Sequence, residues 1–145
     1  MAANKRRGKA SKYIIYSEKG LLCDNQWKLY LDGHPIELLT ELRRQLKEIS
    51  SKLIEKFNYN SRYFGYCIGD DKDKVYIYVQ KERLRIDLCI DRENEENLKS
   101  AGFNVKYVNN YQGRSGWLTG WRVPHNTKKI NVVVKWLLKA FEGNL

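Results

Sequence analysis

The stretch that decides the fold is residues 75–86, whose sequence is VYIYVQKERLRI. Apolar and polar side chains alternate on both sides of Lys81-Glu82, which is the pattern of two antiparallel strands joined by a two-residue turn. In that register one face carries two facing apolar pairs, Val79 with Leu84 and Ile77 with Ile86. Tyr78 faces Arg85 on the other side. The stretch therefore predicts a β-hairpin with one buried face and one exposed face.

The exposed face of this hairpin carries an aromatic and basic platform, made of Tyr76, Tyr78, Arg83 and Arg85. Aromatic rings stack on nucleic-acid bases and arginines contact phosphates, so the platform is typical of a nucleic-acid-binding surface. The alternative is structural, because cross-strand pairs of tyrosine and arginine are also common on exposed sheets. Both interpretations stay open at this point.

Segments on either side of the hairpin extend the prediction to a single antiparallel sheet of about five strands. Residues 63–68, 103–107 and 117–123 read as the other three strands, and residues 91–100 read as an acidic helical turn. Two short strands are predicted earlier in the chain, at Tyr13–Tyr16 and Trp27–Leu31. The fold class is α+β, with one sheet face packed against helices and the other partly exposed or covered by the early strands.

Two amphipathic helices are predicted to pack on the sheet. The longer one begins at Pro35 and runs to Phe57, because apolar residues recur three or four positions apart along one stripe. Its charged face, which includes Arg43 and Glu55, is expected to be solvated. The second closes the chain, with Ile130, Val133, Val134, Leu137 and Phe141 as its buried stripe.

Positive charge is concentrated at the two ends of the sequence. The net charge is +10, yet residues 13–96 hold 14 basic and 16 acidic residues. Residues 1–12 hold five basic residues and no acid, and we interpret them as a flexible basic arm before a single domain at 13–145. Residues 97–141 hold eight basic residues, seven aromatic residues and no acid. Such segregation favours a polyanionic partner, although the arm could serve solubility alone.

We therefore predict a nucleic-acid-binding module in which basic residues neutralise phosphates and rings stack on bases. A polar loop at 109–116 is interpreted as a recognition loop, with a plain turn as the alternative. The residues assigned to nucleic-acid contact are Lys5, Arg6, Arg7, Lys9, Lys12, Tyr76, Tyr78, Arg83, Arg85, Lys106, Tyr111, Arg114, Trp117, Trp121, Arg122, Lys128 and Lys129.

No catalytic or cofactor motif accompanies these residues, and we predict a protein without enzymatic activity, cofactor or metal. His34 and His125 have no recognisable nucleophile partner, and neither glycine-rich phosphate-binding motif occurs. The three cysteines lack zinc-ligand spacing and are expected to be buried, reduced thiols. A minimal metal-dependent nuclease using Asp70, Asp71 or Asp73 is the least favoured alternative, because those residues suit an exposed turn.

The sequence contains no apolar run long enough to span a bilayer and no apolar segment of a secretory signal near the N-terminus. We therefore expect a cytoplasmic protein without a membrane partner. Its oligomeric state is not indicated by the sequence.

From Leu38 onward, the order of elements resembles a small uncharacterised family often labelled predicted transport protein. The resemblance is carried by the hairpin at 75–86 and by residues 116–120, Gly-Trp-Leu-Thr-Gly, before the last strand and closing helix. Members of that family are often appended to restriction-like or nuclease-like proteins. The resemblance thus implies a DNA-contacting accessory module of a restriction or defence system.

The main alternative is a protein-interaction or inhibitor domain. Its basic face would dock on an acidic protein partner, and composition alone does not distinguish an acidic protein from a nucleic acid.

Overall fold

The computed structural model describes residues 12–100, 102–109 and 116–142, and it contains one antiparallel sheet of seven strands. In chain order the strands are β1 (Ile14–Tyr16), β2 (Leu53–Asn58), β3 (Tyr63–Ile68), β4 (Val75–Val79), β5 (Arg83–Leu88), β6 (Lys106–Val108) and β7 (Trp117–Pro124). Across the sheet their order is β1-β2-β3-β4-β5-β7-β6. The α+β class with an antiparallel sheet is confirmed, whereas the prediction of about five strands is wrong.

Three α-helices accompany the sheet in the described residues: α1 (Glu37–Lys47), α2 (Asn94–Ser100) and α3 (Ile130–Lys139). α1 and α3 contact each other, and their buried side chains join one core cluster with the inward-facing residues of the strands. The helices contribute Leu39 and Leu42 from α1 and Leu137 from α3, all fully buried. One face of the sheet is therefore covered by helices, and we call the other the open face.

The hairpin at 75–86 forms β4 and β5 in the expected register. Val79 pairs with Leu84, and Tyr78 pairs with Arg85. The turn is closed by a hydrogen bond from the Gln80 amide to the Arg83 carbonyl, with N and O 3.0 Å apart. The hairpin is the centre of the sheet, since β3 pairs with β4 and β7 pairs with β5.

The prediction of a long first helix is wrong for its second half. α1 ends at Lys47, and residues 53–58 form β2, which pairs with β3 along its whole length. Residues 48–52 separate the two elements. The prediction failed because Leu53 and Phe57 fit both periods: they continue the helical stripe of α1, and they also alternate with outward residues along a strand.

The strand predicted at Trp27–Leu31 is also wrong, because this segment forms 3₁₀ turns at Asp24–Gln26 and Lys28–Leu31. These turns place the Trp27 ring edge-on to Phe64, with 5.5 Å between ring centroids, on the helix side of the sheet. The other early strand is confirmed as β1, which extends the sheet beside β2. Neither segment lies over the open face.

Arg43 and Glu55, expected on a solvated helix face, are buried and joined to each other. Arg43 donates from Nε to Glu55 Oε2 at 2.8 Å and from Nη2 to Oε1 at 2.7 Å. Glu55 also accepts hydrogen bonds from the Leu22 amide and the Tyr66 hydroxyl. Because every group is partnered, the cluster serves to fasten α1 and the turns to β2 and β3.

The cysteine prediction holds only in part, since Cys67 is buried, Cys89 is partly buried and Cys23 is exposed. Among the described residues, no helix is both long enough and apolar enough to cross a membrane.

Candidate functional site

Strand alternation sorts the side chains of β5 between the two faces of the sheet. Leu84, Ile86 and Leu88 point into the core below the helices. Arg83, Arg85 and Asp87 therefore point to the open face. The same rule places Arg122 of β7 beside Arg85, because these two residues are partners in the β5–β7 register.

Four basic side chains from three neighbouring strands line a shallow cleft of about 380 Å³ in the open face. They are Arg83 and Arg85 from β5, Arg122 from β7 and Lys106 from β6. The remaining lining residues are Gln80, Thr119 and Gly120. All four basic residues were predicted to contact nucleic acid, and the fold brings them together although they lie up to 39 positions apart in the sequence. We call this group the cationic cleft.

Arg85 and Arg122 stand directly opposite each other on paired strands. Side chains at such positions have Cβ atoms about 4.5–5.5 Å apart, and like charges there destabilise the sheet. Within the described part of the chain, carboxylates form ion pairs with Arg83 and Arg85 but none with Arg122 or Lys106. The cleft therefore keeps an excess of positive charge that an anion would relieve.

Asp87 fixes the orientation of the Arg85 guanidinium. It is fully buried and accepts hydrogen bonds from Arg85 Nη2 at 2.9 Å and Nε at 3.3 Å. It also accepts a hydrogen bond from the Gly120 amide at 2.9 Å. Gly120 has a φ of +80° and lies where the β5–β7 register shifts, so this β-bulge couples β7 to the orientation of Arg85.

Aromatic rings continue the surface from the cleft across β4 and β3. The Arg85 guanidinium lies over the Tyr78 ring, 4.6 Å from its centroid. The Tyr63 ring lies 5.1 Å from the Tyr78 ring. Burial raises the pKa of the Tyr63 hydroxyl above its ordinary value near 10.0. The guanidinium and the two rings thus form one contiguous group, in which the rings are tilted by 46° to each other, and we call it the Tyr63–Tyr78–Arg85 stack.

Tyr76, Trp117 and Trp121 do not fit the prediction that their rings meet bases. Tyr76 is 7% exposed, and both tryptophans are fully buried. Trp117 packs on Tyr76 with ring centroids 5.2 Å apart, while Trp121 lies in the core on the helix side against Phe103. Trp121 belongs to the core cluster, whereas Trp117 is buried against Tyr76 outside that cluster.

The other predicted contacts lie apart from the cleft or outside the described residues. Lys129 is exposed at the start of α3 with Nζ 5.6 Å from the Phe103 ring, on the helix side, and Lys128 precedes it directly. Lys12 is exposed next to β1, over the Tyr13 ring. Six predicted contacts lie outside the described residues: Lys5, Arg6, Arg7, Lys9, Tyr111 and Arg114.

The aspartates considered for a nuclease do not act as one group. Asp70 and Asp71 are exposed, whereas Asp73 binds the buried Lys56 Nζ at 2.8 Å and accepts from the Tyr76 hydroxyl at 2.9 Å. No cluster of three or more potential metal ligands occurs within the ranges that the structure describes. Asp73 thereby fastens β2 to β4 on the open face.

Sequence reasoning missed Gln80, Thr119 and Gly120 as parts of the cleft. The available signal was Gly120 itself, because a glycine inside a strand pattern often marks a bulge.

No protein-family model matches the chain, and no curated protein or solved structure matches it significantly. The family resemblance drawn from residues 75–86 and 116–120 therefore stays a prediction.

Proposed function

We propose that this protein is a non-enzymatic nucleic-acid-binding module whose cationic cleft holds phosphate groups of the ligand. One observation carries the proposal: Arg85 and Arg122 face each other across β5 and β7, and within the described residues a carboxylate pairs with Arg85 but none pairs with Arg122. A phosphate placed between the two arginines would relieve their repulsion and accept charge-assisted hydrogen bonds from both side chains. Arginine suits this role because its planar guanidinium matches the geometry of phosphate oxygens.

The position of the cleft favours a polymer as its ligand rather than a small anion. The cleft is shallow and continues into the Tyr63–Tyr78–Arg85 stack, so a ligand that lies along the surface reaches both charge and aromatic rings. Binding of this kind releases counterions and should weaken steeply as salt rises. The preference for DNA over RNA rests on the family resemblance alone.

The experiment compares Arg122→Gln with Lys135→Gln, each of which removes one exposed positive charge. Lys135 lies on the exposed side of α3, away from the cleft. Fluorescence anisotropy with labelled DNA and RNA oligonucleotides at two salt concentrations should give about tenfold weaker binding for Arg122→Gln. Lys135→Gln should bind nearly as tightly as the unaltered protein.

Equal, small losses in both variants would contradict the proposal, because they would show that net charge alone drives binding. An acidic protein partner is the competing occupant of the cleft. A complex that is recovered from lysate after nuclease digestion, and that Arg122→Gln abolishes while oligonucleotides fail to bind, would favour that alternative.

A further inference from the structure

We infer that the ligand of the open face is single-stranded nucleic acid, with a base stacked on the Tyr63–Tyr78–Arg85 stack and the adjoining phosphate in the cationic cleft. This inference rests on the proposed function and makes it more specific. It follows from three features of the open face: its width, its stack and its fixed guanidinium.

The open face is too wide to enter a groove of duplex DNA. Neighbouring strands are about 4.8 Å apart, so the distance from Tyr78 on β4 to Lys106 on β6 is about 14 Å. The same surface continues over β3, β2 and β1, for about 29 Å in total. The major groove of B-DNA is about 12 Å wide. A duplex could therefore touch the cleft with its backbone but could not present base edges to the stack.

A single strand can use both parts of the surface because its bases can turn away from its phosphates. Bases stack on aromatic rings and also on guanidinium planes. The Arg85 side chain is 36% exposed, and its Cζ atom lies 4.6 Å from the centroid of the Tyr78 ring. We place the base on the side of the guanidinium away from Tyr78, with the Tyr78 ring beneath the guanidinium and the Tyr63 ring next to Tyr78.

The orientation of that plane is set before any ligand arrives. Asp87 is fully buried and binds both Nε and Nη2 of Arg85. A side chain that is already ordered loses less conformational freedom on binding. The neighbouring Arg122 and Lys106, exposed and without ion pairs in the described residues, are left to contact the phosphate that follows the base.

The test measures affinity for a poly-dT strand and for a duplex that contains it. The unaltered protein should bind the single strand more tightly. Tyr78→Leu should weaken single-strand binding about fivefold and leave duplex binding unchanged, because the guanidinium on which the base stacks loses the ring beneath it. Tyr78→Phe, which keeps the ring, should bind the single strand almost normally.

Arg85→Lys supplies a second variant that does not depend on the Tyr78 position. It keeps the charge and the capacity to pair with Asp87, but it lacks the guanidinium plane. It should weaken single-strand binding while leaving the salt dependence unchanged, and circular dichroism should confirm that each variant is folded. Polyglutamate should compete poorly, because it offers charge without bases.

The outcomes separate this inference from the proposed function. Equal or tighter binding of the duplex, lost in Arg122→Gln but unaffected in Tyr78→Leu, would overturn single-strand recognition and leave nucleic-acid binding standing. Absence of binding to either oligonucleotide would overturn both. Displacement by polyglutamate at concentrations comparable to the oligonucleotide would point to an acidic protein instead.

Discussion

At the residue scale, Arg43 and Arg122 carry the same charge in opposite surroundings. Arg43 is 5% exposed and bound through two nitrogens to the fully buried Glu55. Arg122 is exposed and faces another arginine. The first charge is compensated inside the protein, so its role is structural. The second has no ion pair among the described residues, which is why we propose that it contacts the ligand.

Replacing Glu55 with alanine should destabilise the fold by about 3–5 kcal/mol, because a buried guanidinium is left without its partner. Urea denaturation followed by circular dichroism measures this. Glu41→Ala is the matched control, since Glu41 pairs with Arg44 on the surface and should shift the midpoint little. Comparable shifts of the urea midpoint in the two variants would show that the Arg43–Glu55 pair does not stabilise the fold.

Tyr66 gives the fold a pH dependence at the alkaline end. Burial, together with the neighbouring Glu55 carboxylate, raises the pKa of Tyr66 well above its ordinary value near 10.0. The unfolded chain releases this proton near pH 10 while the folded chain keeps it, so the stabilisation is full below that pH and declines as pH rises further.

Tyr66→Phe removes that proton and should lose less stability than the unaltered protein between about pH 9 and about pH 11. Urea midpoints measured across this interval provide the comparison. Parallel declines in the two proteins would contradict the assignment of alkaline sensitivity to Tyr66.

At the scale of elements, the pairing of β5 with β7 builds the cleft, and the bulge at Gly120 adjusts it. The register shifts between Ile86 and Leu88, which leaves Asp87 facing the extra residue on β7. Asp87 then accepts from both the Gly120 amide and the Arg85 guanidinium. A substitution in the bulge should therefore alter the orientation of Arg85 and so lower the affinity for the ligand.

Gly120→Ala should lower stability by about 1–2 kcal/mol, because a positive φ is unfavourable for residues with a Cβ. Gly33→Ala is a matched control: Gly33 has a φ of +84°, and an added Cβ at either glycine meets no atom within 4 Å. Thermal denaturation should give similar losses for both. Only Gly120→Ala should also weaken oligonucleotide binding, and an equal effect on binding in the two variants would exclude a role for the bulge.

The hairpin at 75–86 was predictable because its alternation is local and its turn is short. The boundary between α1 and β2 was not, because Leu53 and Phe57 satisfy a helical and a strand period at once, and pairing with the distant β3 decides between them. The cleft, like the fold, was predictable from the sequence only in part. Sequence identified Arg83, Arg85, Lys106 and Arg122, but their meeting depends on the order of β5, β7 and β6, which no local pattern contains.

At the scale of the whole molecule, the two basic segments contribute unequally to a defined site. Residues 97–141 supply Lys106 and Arg122 to the cleft, while Lys128 and Lys129 lie near the start of α3. The segment without acidic residues thus produces a local excess of positive charge at the cleft, where its strands lie beside β5. We expect the basic segment before Lys12 to add an attraction for a polyanion that does not depend on where the ligand is bound.

Deleting residues 1–11 removes Lys5, Arg6, Arg7 and Lys9 and keeps Lys12, whose carbonyl accepts a hydrogen bond from Tyr59. Affinity should fall to a similar extent for all sequences, and the slope of log affinity against log salt should lose up to about 3, from about 0.7 for each phosphate no longer neutralised on a single strand. Anisotropy titrations over a range of salt concentrations measure both. An unchanged slope would show that this segment makes no phosphate contacts.

The central claim is that the open face around the cationic cleft is the binding surface. Nuclear magnetic resonance titration of the isotope-labelled protein with a short poly-dT strand tests it most directly. We expect the largest amide shifts in β5, β6 and β7 and in Tyr78, with small changes in α1 and α3. Shifts concentrated in the helices, or no shifts at saturating oligonucleotide, would contradict it.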